Sequence, residues 1–287
     1  MTNAESRFVS WEAAVRWLRE QPEQQELILS AYYDDPLGAA AERYRNSSEW
    51  QAIRGLLAGR GGAALDIGAG RGIASYALAR EGFAVTALEP DPSSLVGAGA
   101  IRQLMNDAGL AVTIVEQHSE RLPFADGSFD VIFARAVLHH ARDLATTCRE
   151  IFRVLKPGGR LIAVREHVIS RREDLPAFFA LHPLHHLYGG ENAYLLDDYC
   201  AALKGGGFSI QSVIKPLLSP INYFPHTRDS LRREIALRLG RIAPLSALLR
   251  GLLALPWLLD GMLHVLTYVD RRPGRLYSFV ADKRLGD

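Results

Sequence analysis

The chain reads as an α/β protein with a mostly parallel sheet and helices on both faces. Two observations lead there. Short apolar runs alternate with amphipathic helical stretches through the middle of the chain, and a glycine-rich run at residues 65–72 joins one such strand to the next helix. Composition agrees: among 287 residues, 48% are hydrophobic and 23% charged, a globular balance. Lys+Arg minus Asp+Glu is 33 − 32 = +1, which leaves no charge excess for a nucleic-acid partner.

The elements follow in order. Ala13, Leu18, Leu27, Ile28 and Tyr32 fall at roughly helical spacings, so the first 60 residues are expected to be helical. Ser47 and Ser48 can cap a further helix, with Glu49 in its first turn and Gly59 as its stop. Strands are expected at 63–67, 84–88, 112–116, 129–135 and 160–166, with helices at 72–81, 92–108 and 142–155 between them. The last helix carries the stripe Leu144, Cys148, Ile151, Phe152 and Leu155, and Pro157-Gly158-Gly159 ends it. A helix at 196–203, a strand at 208–215 and an alternating final strand at 275–283 complete a seven-stranded sheet.

Four segments result: an N-terminal helical lid (1–60), an α/β core (61–218) with a cap loop at 168–195, a helical insertion (219–273) and the final strand (274–287). The insertion sets Arg228, Arg232, Arg233, Arg238 and Arg241 around Leu231, Ile235, Leu237 and Leu239. That pattern suits a membrane-surface helix or a packed helical subdomain, the second being favoured. The apolar stretch at 242–269 is interrupted by Pro244, Arg250, Pro256, Asp260 and His264, too often for a spanning helix. The first residues lack the layout of a signal peptide, and two cysteines fit a reducing compartment, so a cytoplasmic location is expected.

Within LDIGAGRG the strand ends at Asp66, and Gly68, Gly70 and Gly72 precede the helix. Glycines belong where backbone turns sharply and approaches a ligand, and the carboxyl end of a strand is where open α/β sheets bind ligands. Glu89 ends the next strand in VTALEPD, where an acid can accept from both ribose hydroxyls of an adenosine cofactor. A plain strand–helix turn is the alternative for the glycines alone. A dinucleotide fold is disfavoured, because Ile73 stands where its third glycine would be.

LDIGAGRG, LEPD, RLPFADGSFDVIFARAVLHH and EIFRVLKPGGRLIAV, in that order, resemble the motifs of the class I S-adenosylmethionine (SAM)-dependent methyltransferases, in the small-molecule, type 11-like branch. The resemblance covers about residues 63–167 and implies a Rossmann-like fold with SAM as cofactor. It implies that Asp66, Gly68, Ala69 and Gly70 border the methionine part of SAM, that Glu89 holds the ribose and that Pro90 flanks the adenine. The loop after the third strand would bracket the adenine, but this chain has His118-Ser119 where the family often has Asp-Ala. Arg135 lies where the family contacts the methionine end.

A SAM enzyme with an oxygen nucleophile benefits from a base, a contribution of about 10²–10⁴-fold. Candidates follow the fourth and fifth strands: His139, His140, Glu166 and His167. The cap HPLHHLYGGENAY adds His182, His185, His186 and Tyr188, with Glu191, Asn192 and Tyr194 nearby. A metal held by His182, His185, His186 or Glu191 is chemically allowed but not expected. Tyr44, Arg45, Asn46, Ser47 and Glu49 are lid or capping candidates. The expected function is methyl transfer from SAM to a hydroxyl or amine of a small molecule, a sugar or secondary metabolite being the model acceptor. Another reaction of SAM (lyase, decarboxylase or other group transfer), or a binding subunit without turnover, remains open.

Overall fold

The central strands are apolar on both faces, which calls for helices above and below the sheet. The computed structural model describes residues 9–118, 121–181, 183–188, 191–240 and 255–286 and has that arrangement. Seven strands lie in the order β3-β2-β1-β4-β5-β8-β7. They are β1 (Ala63–Ile67), β2 (Ala84–Leu88), β3 (Val112–Val115), β4 (Phe129–Arg135), β5 (Leu155–Ile169), β7 (Ser209–Ile214) and β8 (Arg275–Asp282). β1 to β5 pair in parallel, and β8 runs antiparallel between β5 and β7. A two-residue strand, β6 (Tyr194–Leu195), pairs with the end of β5 and was not expected.

Two element starts lie well away from the sequence reading, each for a local reason. β5 starts at Leu155 rather than 160, because the Gly158-Gly159 backbone exchanges hydrogen bonds with Lys283 beyond β8, at 2.8 and 3.1 Å. The helix expected from 92 begins only at Ala98. Asp91 Oδ1 accepts from Ser93 N and Ser93 Oγ accepts from Leu95 N, both at 2.9 Å, so these side chains cap turns and hold the backbone out of a helix.

On one face of the sheet lie α3 (Leu37–Arg45), α4 (Ser48–Leu57), α5 (Ile73–Arg80) and α6 (Ala98–Ala108). Tyr44 and Trp50 are fully buried there with Phe133 and Val164. Ser47 starts α4 by accepting from Trp50 N at 3.1 Å. On the other face α7 (Leu144–Val154) and α9 (Leu196–Gly205) set Cys148, Ile151, Tyr199 and Leu203 against Leu65, Ile132 and Leu161. Asp143 caps α7 by accepting from Thr146 N at 2.9 Å.

A third, smaller cluster joins α1 (Trp11–Arg19) and α2 (Gln25–Ser30) to Val96 and Leu184. Between β5 and β6 lies the short α8 (Leu175–Phe179). Past β7, α10 (Pro220–Tyr223), α11 (Arg228–Gly240) and α12 (Pro256–Val269) pack through Tyr223, Leu231, Leu259 and Leu263. Arg228 pairs with Asp260 across α11 and α12. Among the described residues no helix is long and apolar enough to cross a membrane. Arg241 and the start of the apolar stretch, residues 242–254, lie outside the described residues.

Two glycine-to-alanine substitutions should have opposite signs. A Cβ at Gly97 would stand 2.0 Å from the Asp91 carbonyl oxygen, so Gly97→Ala should destabilise by about 1–3 kcal/mol or more. A Cβ at Gly55, inside α4, meets nothing within 4 Å, so Gly55→Ala should stabilise by up to about 1 kcal/mol. Urea unfolding of both variants checks the pair.

Candidate functional site

A cavity of about 840 Å³ opens at the carboxyl ends of the parallel strands. One wall carries Asp66, Gly68, Ala69, Gly70, Glu89 and Pro90. His139, His140, His167, His185 and Tyr188 line it elsewhere, as do His118 and Arg135. Trp11, Tyr32 and Tyr33 of the N-terminal segment complete it.

The glycine wall is set by backbone geometry. Gly68 and Gly70 have φ of +62° and +54°, the left-handed region that costs an L residue but not glycine. Gly70 N donates to Glu89 at 2.7 Å, and Asp91 N donates to its other oxygen at 2.9 Å. Each carboxylate oxygen keeps a lone pair for a further donor. Burial raises the Glu89 pKa against these two hydrogen bonds. A Cβ on Gly70 would meet only the Val96 carbonyl oxygen, at 3.9 Å, so this position borders open space. Asp66 accepts from Ser75 Oγ at 2.6 Å, and burial raises its pKa to about 7.

Arg71, between the last two glycines, ties the N-terminal segment to this wall. Its guanidinium donates to the carbonyls of Tyr32 and Asp34 at 2.9 and 2.8 Å and to Asp35 Oδ1 at 2.5 Å. α1 reaches across to the residues following β5: Val9 N donates to Leu187 O at 2.9 Å, and the Trp11 and Tyr188 rings meet edge-on at 5.1 Å.

Arg135 ends β4 but does not extend alone into the cavity. Its guanidinium binds both oxygens of Glu49, at 2.7 and 3.0 Å, beneath the rings of Tyr32 and Tyr44. Glu49 has no exposed surface, and Arg165 Nη1 lies 3.8 Å from it. Although burial opposes its charge, the Glu49 carboxylate raises the Arg135 pKa. Ser47 caps as expected, whereas Glu49, read as a first-turn acid, is half of a buried ion pair. The Asn46 and Arg45 side chains bond to Glu42, and Tyr44 is core.

A bulge in β5 decides where its last residues point. Ala163 pairs with Phe279 but Glu166 pairs with Tyr277, so β5 has one extra residue there. Arg165 takes it up with φ of +61°. Ile162 and Val164 face one core and Leu161 and Ala163 the other, and strict alternation would put Glu166 with Val164. Instead Arg165 reaches the Ile221 and Phe224 carbonyls at 3.0 Å, beside Glu49. Glu166 turns to the opposite side, where Val168 joins the second core. It does not line the cavity, as the sequence reading expected. Its Oε1 accepts from Val137 N and Leu138 N, both at 3.1 Å, and its Oε2 from His139 N at 3.0 Å and His139 Nδ1 at 2.8 Å. The carboxylate is spent on holding the turn after β4.

That turn delivers the histidines. His139 is buried, which holds its pKa well below the usual value, and its ring lies 4.1 Å from that of His140 and 4.7 Å from that of His167. His167 Nδ1 faces the Gly274 carbonyl at 3.1 Å, which can only accept, so Nδ1 carries the proton. Burial lowers the His167 pKa well below the usual value. His185 Nδ1 faces the Phe178 carbonyl at 3.3 Å, and its Nε2 lies 3.6 Å from Glu191 Oε2. Tyr194 donates to the Ala141 carbonyl at 2.5 Å. His186 belongs to the turn Pro183–His186, and His182 and Ser119 lie outside the described residues. Sequence reading missed Trp11, Tyr32, Tyr33, Arg71 and Arg165 as cavity or anchoring residues. Only Arg71, inside the glycine run, carried a local signal.

The methyltransferase domain family matches residues 65–163. A ubiquinone biosynthesis O-methyltransferase of Pseudomonas paraeruginosa is 36% identical over 116 residues, 39% of this chain and 47% of that protein. The chain spans about a third to a half of the length of the first curated relatives it matches. Two crystal structures share the fold. A Galdieria sulphuraria protein described as a candidate sarcosine dimethylglycine methyltransferase superposes with a TM-score of 0.60 at 19% identity, over 95% of this chain and 99% of that one. The geranyl diphosphate C-methyltransferase of Streptomyces coelicolor, in complex with Mg²⁺, geranyl diphosphate and S-adenosylhomocysteine, gives 0.58 at 15% identity, over 88% and 87%.

Two outcomes follow from the buried charges. Asp66 has a folded pKa above its unfolded value, so the folded state binds the extra proton and stability is lost as pH rises from about 4 to about 7. Asp66→Asn should remove that slope, which is at most about 1.4 kcal/mol per pH unit; unfolding at a series of pH values in wild type and variant reads it. Glu49→Ala strands Arg135 and should cost about 3–5 kcal/mol, with part recovered in Glu49→Ala/Arg135→Met, as measured by denaturant unfolding.

Proposed function

We propose that this chain, whose residues 65–163 form a class I SAM-dependent methyltransferase domain, moves a methyl group to an oxygen or nitrogen of a small molecule held beside the histidines. The observation that carries this reading is a single cavity with two chemically different walls. Glu89, Gly70 and Asp66 stand on one, and His139, His140 and His167 on the other. Its volume, about 840 Å³, fits the range of about 300–1,000 Å³ for small-molecule sites.

The glycine wall suits SAM. Glu89 is pinned by Gly70 N and Asp91 N and still has a lone pair on each oxygen for two ribose hydroxyls. Gly70 borders space that a side chain would fill. Pro90 and His118 line the same cavity and would border the adenine, while Asp66 would border the methionine part. When bound, SAM supplies a methyl group made electrophilic by its sulfonium.

The chain's own residues then bind and orient. Arg71 holds Tyr32 to Asp35 against the glycine loop, and α1 with Tyr188 covers the mouth, so the segment 9–35 serves as a lid that excludes water. His167 keeps Nδ1–H on Gly274 and presents Nε2 as an acceptor; an acceptor hydroxyl donating to it would aim its lone pair away from the ring. Holding the two reactants at near-attack distance is worth about 7–11 kcal/mol. The net charge of +1 supports a small acceptor over a nucleic acid, and a hydroxylated sugar or secondary metabolite fits the polar histidine wall.

Titration calorimetry with SAM and S-adenosylhomocysteine tests the reading. Wild type should bind both with micromolar affinity, and Glu89→Ala and Glu89→Gln should each weaken binding by at least about tenfold. Folded wild-type protein that binds neither would remove the proposal.

A further inference from the structure

The histidine wall contains an electrostatic anomaly that methyl transfer does not require. The Glu191 side chain is 7% exposed, and its Oε2 is buried with no hydrogen-bond partner among the described residues. Two imidazole nitrogens lie near that oxygen: His185 Nε2 at 3.6 Å and His139 Nε2 at 3.8 Å. Hydrogen bonding sets their protonation. His139 Nδ1 faces the Glu166 carboxylate at 2.8 Å and His185 Nδ1 faces the Phe178 carbonyl at 3.3 Å, both acceptors. In a neutral ring the His139 Nδ1 therefore carries the hydrogen and its Nε2 offers a lone pair. The His139 lone pair and the Glu191 carboxylate thus face each other at 3.8 Å, an arrangement that costs energy in a buried site and that a cation between them relieves.

His140 supplies a further donor. One ligand atom each from His139, His140 and Glu191 lies within 4.8 Å of the others. Ligands about 2.0–2.1 Å from a tetrahedral ion stand roughly 3.4 Å apart, so small side-chain rotations close the site. Glu166 completes it from behind. A carboxylate on the far nitrogen of a metal-ligating histidine fixes its tautomer and ring orientation, and Glu166 already does this for His139.

We propose that His139 Nε2, His140 and Glu191 bind a divalent transition-metal cation of the zinc class, with Glu166 as the orienting partner of His139. Two imidazoles and one carboxylate suit zinc and its neighbours, whereas Mg²⁺ and Ca²⁺ prefer all-oxygen shells. Three protein ligands leave a fourth position open. All three line the cavity, so the open position takes an oxygen donor of the small molecule bound there. The metal site rests on the histidine and carboxylate geometry alone; only the identity of the oxygen donor depends on the methyl-transfer reading.

The test uses the full chain, stripped with chelator, dialysed and titrated with Zn²⁺ by calorimetry, with bound metal counted by elemental mass spectrometry. Wild type should take up one Zn²⁺ per chain. Glu191→Gln, nearly isosteric, and His140→Ala, at an exposed ring, should each weaken binding by at least about tenfold. His264→Ala, on α12, should leave it unchanged. Thermal melting of the metal-free variants confirms that they fold. Less than one equivalent bound by wild type, or Glu191→Gln binding as tightly as wild type, overturns the proposal. S-adenosylhomocysteine affinity measured on the same samples separates the two readings: its loss throughout refutes the methyltransferase reading and leaves the zinc stoichiometry standing.

Discussion

A carboxylate with no exposed surface needs donors, and Glu166 finds them in three consecutive backbone N–H groups and the ring of His139. Those amides belong to the turn that leaves β4, so one side chain of β5 fixes the path of the neighbouring strand's exit. The position of His139, and through it of the wall facing the glycine loop, follows from that contact. Burial raises the Glu166 pKa while the three amides lower it, so the anchor depends on the turn as much as the turn depends on the anchor. The extra residue at Arg165 makes this geometry available by reversing which face the end of β5 presents.

On the other side of the same two strand ends, the reversed Arg165 joins Arg135 around Glu49. A buried carboxylate meets two half-buried guanidiniums there, Arg135 against the rings of Tyr32 and Tyr44, and the Arg135–Glu49 pair is held by bidentate geometry, the strongest form of such contacts. Because Glu49 sits in the first turn of α4, the pair fastens the N-terminal helices to the sheet at the edge of the cavity. Arg71 makes the second attachment, from the glycine loop to Tyr32, Asp34 and Asp35. The N-terminal helices are thus tied to the sheet and to the glycine loop by arginines that no apolar pattern would reveal.

The glycine wall was legible because it is local. Asp66, the three glycines and Glu89 lie within 24 residues, on two adjacent strands and one turn, where spacing and residue type carry the geometry. Strands β1 to β4 were legible for the same reason: each is a short apolar run ended by a turn signal. The histidine wall was legible only as a list of residues. Its arrangement rests on a bulge with no periodic signature and on contacts between β4, β5 and the turn Pro183–His186. Glu166 and His167 looked equivalent in sequence, yet one faces the turn and the other the cavity. Glu49 read as a capping acid because its partner, Arg135, is 86 residues away.

The central claim is that the two walls enclose a methyl donor and its acceptor. Its most direct test is product analysis after incubating the protein with methyl-labelled SAM and a panel of hydroxylated and amino small molecules. Formation of S-adenosylhomocysteine together with a labelled acceptor, in equal amounts by mass spectrometry, is the predicted result. Methylthioadenosine as the nucleoside product, or SAM bound and recovered unchanged across the panel, would contradict it.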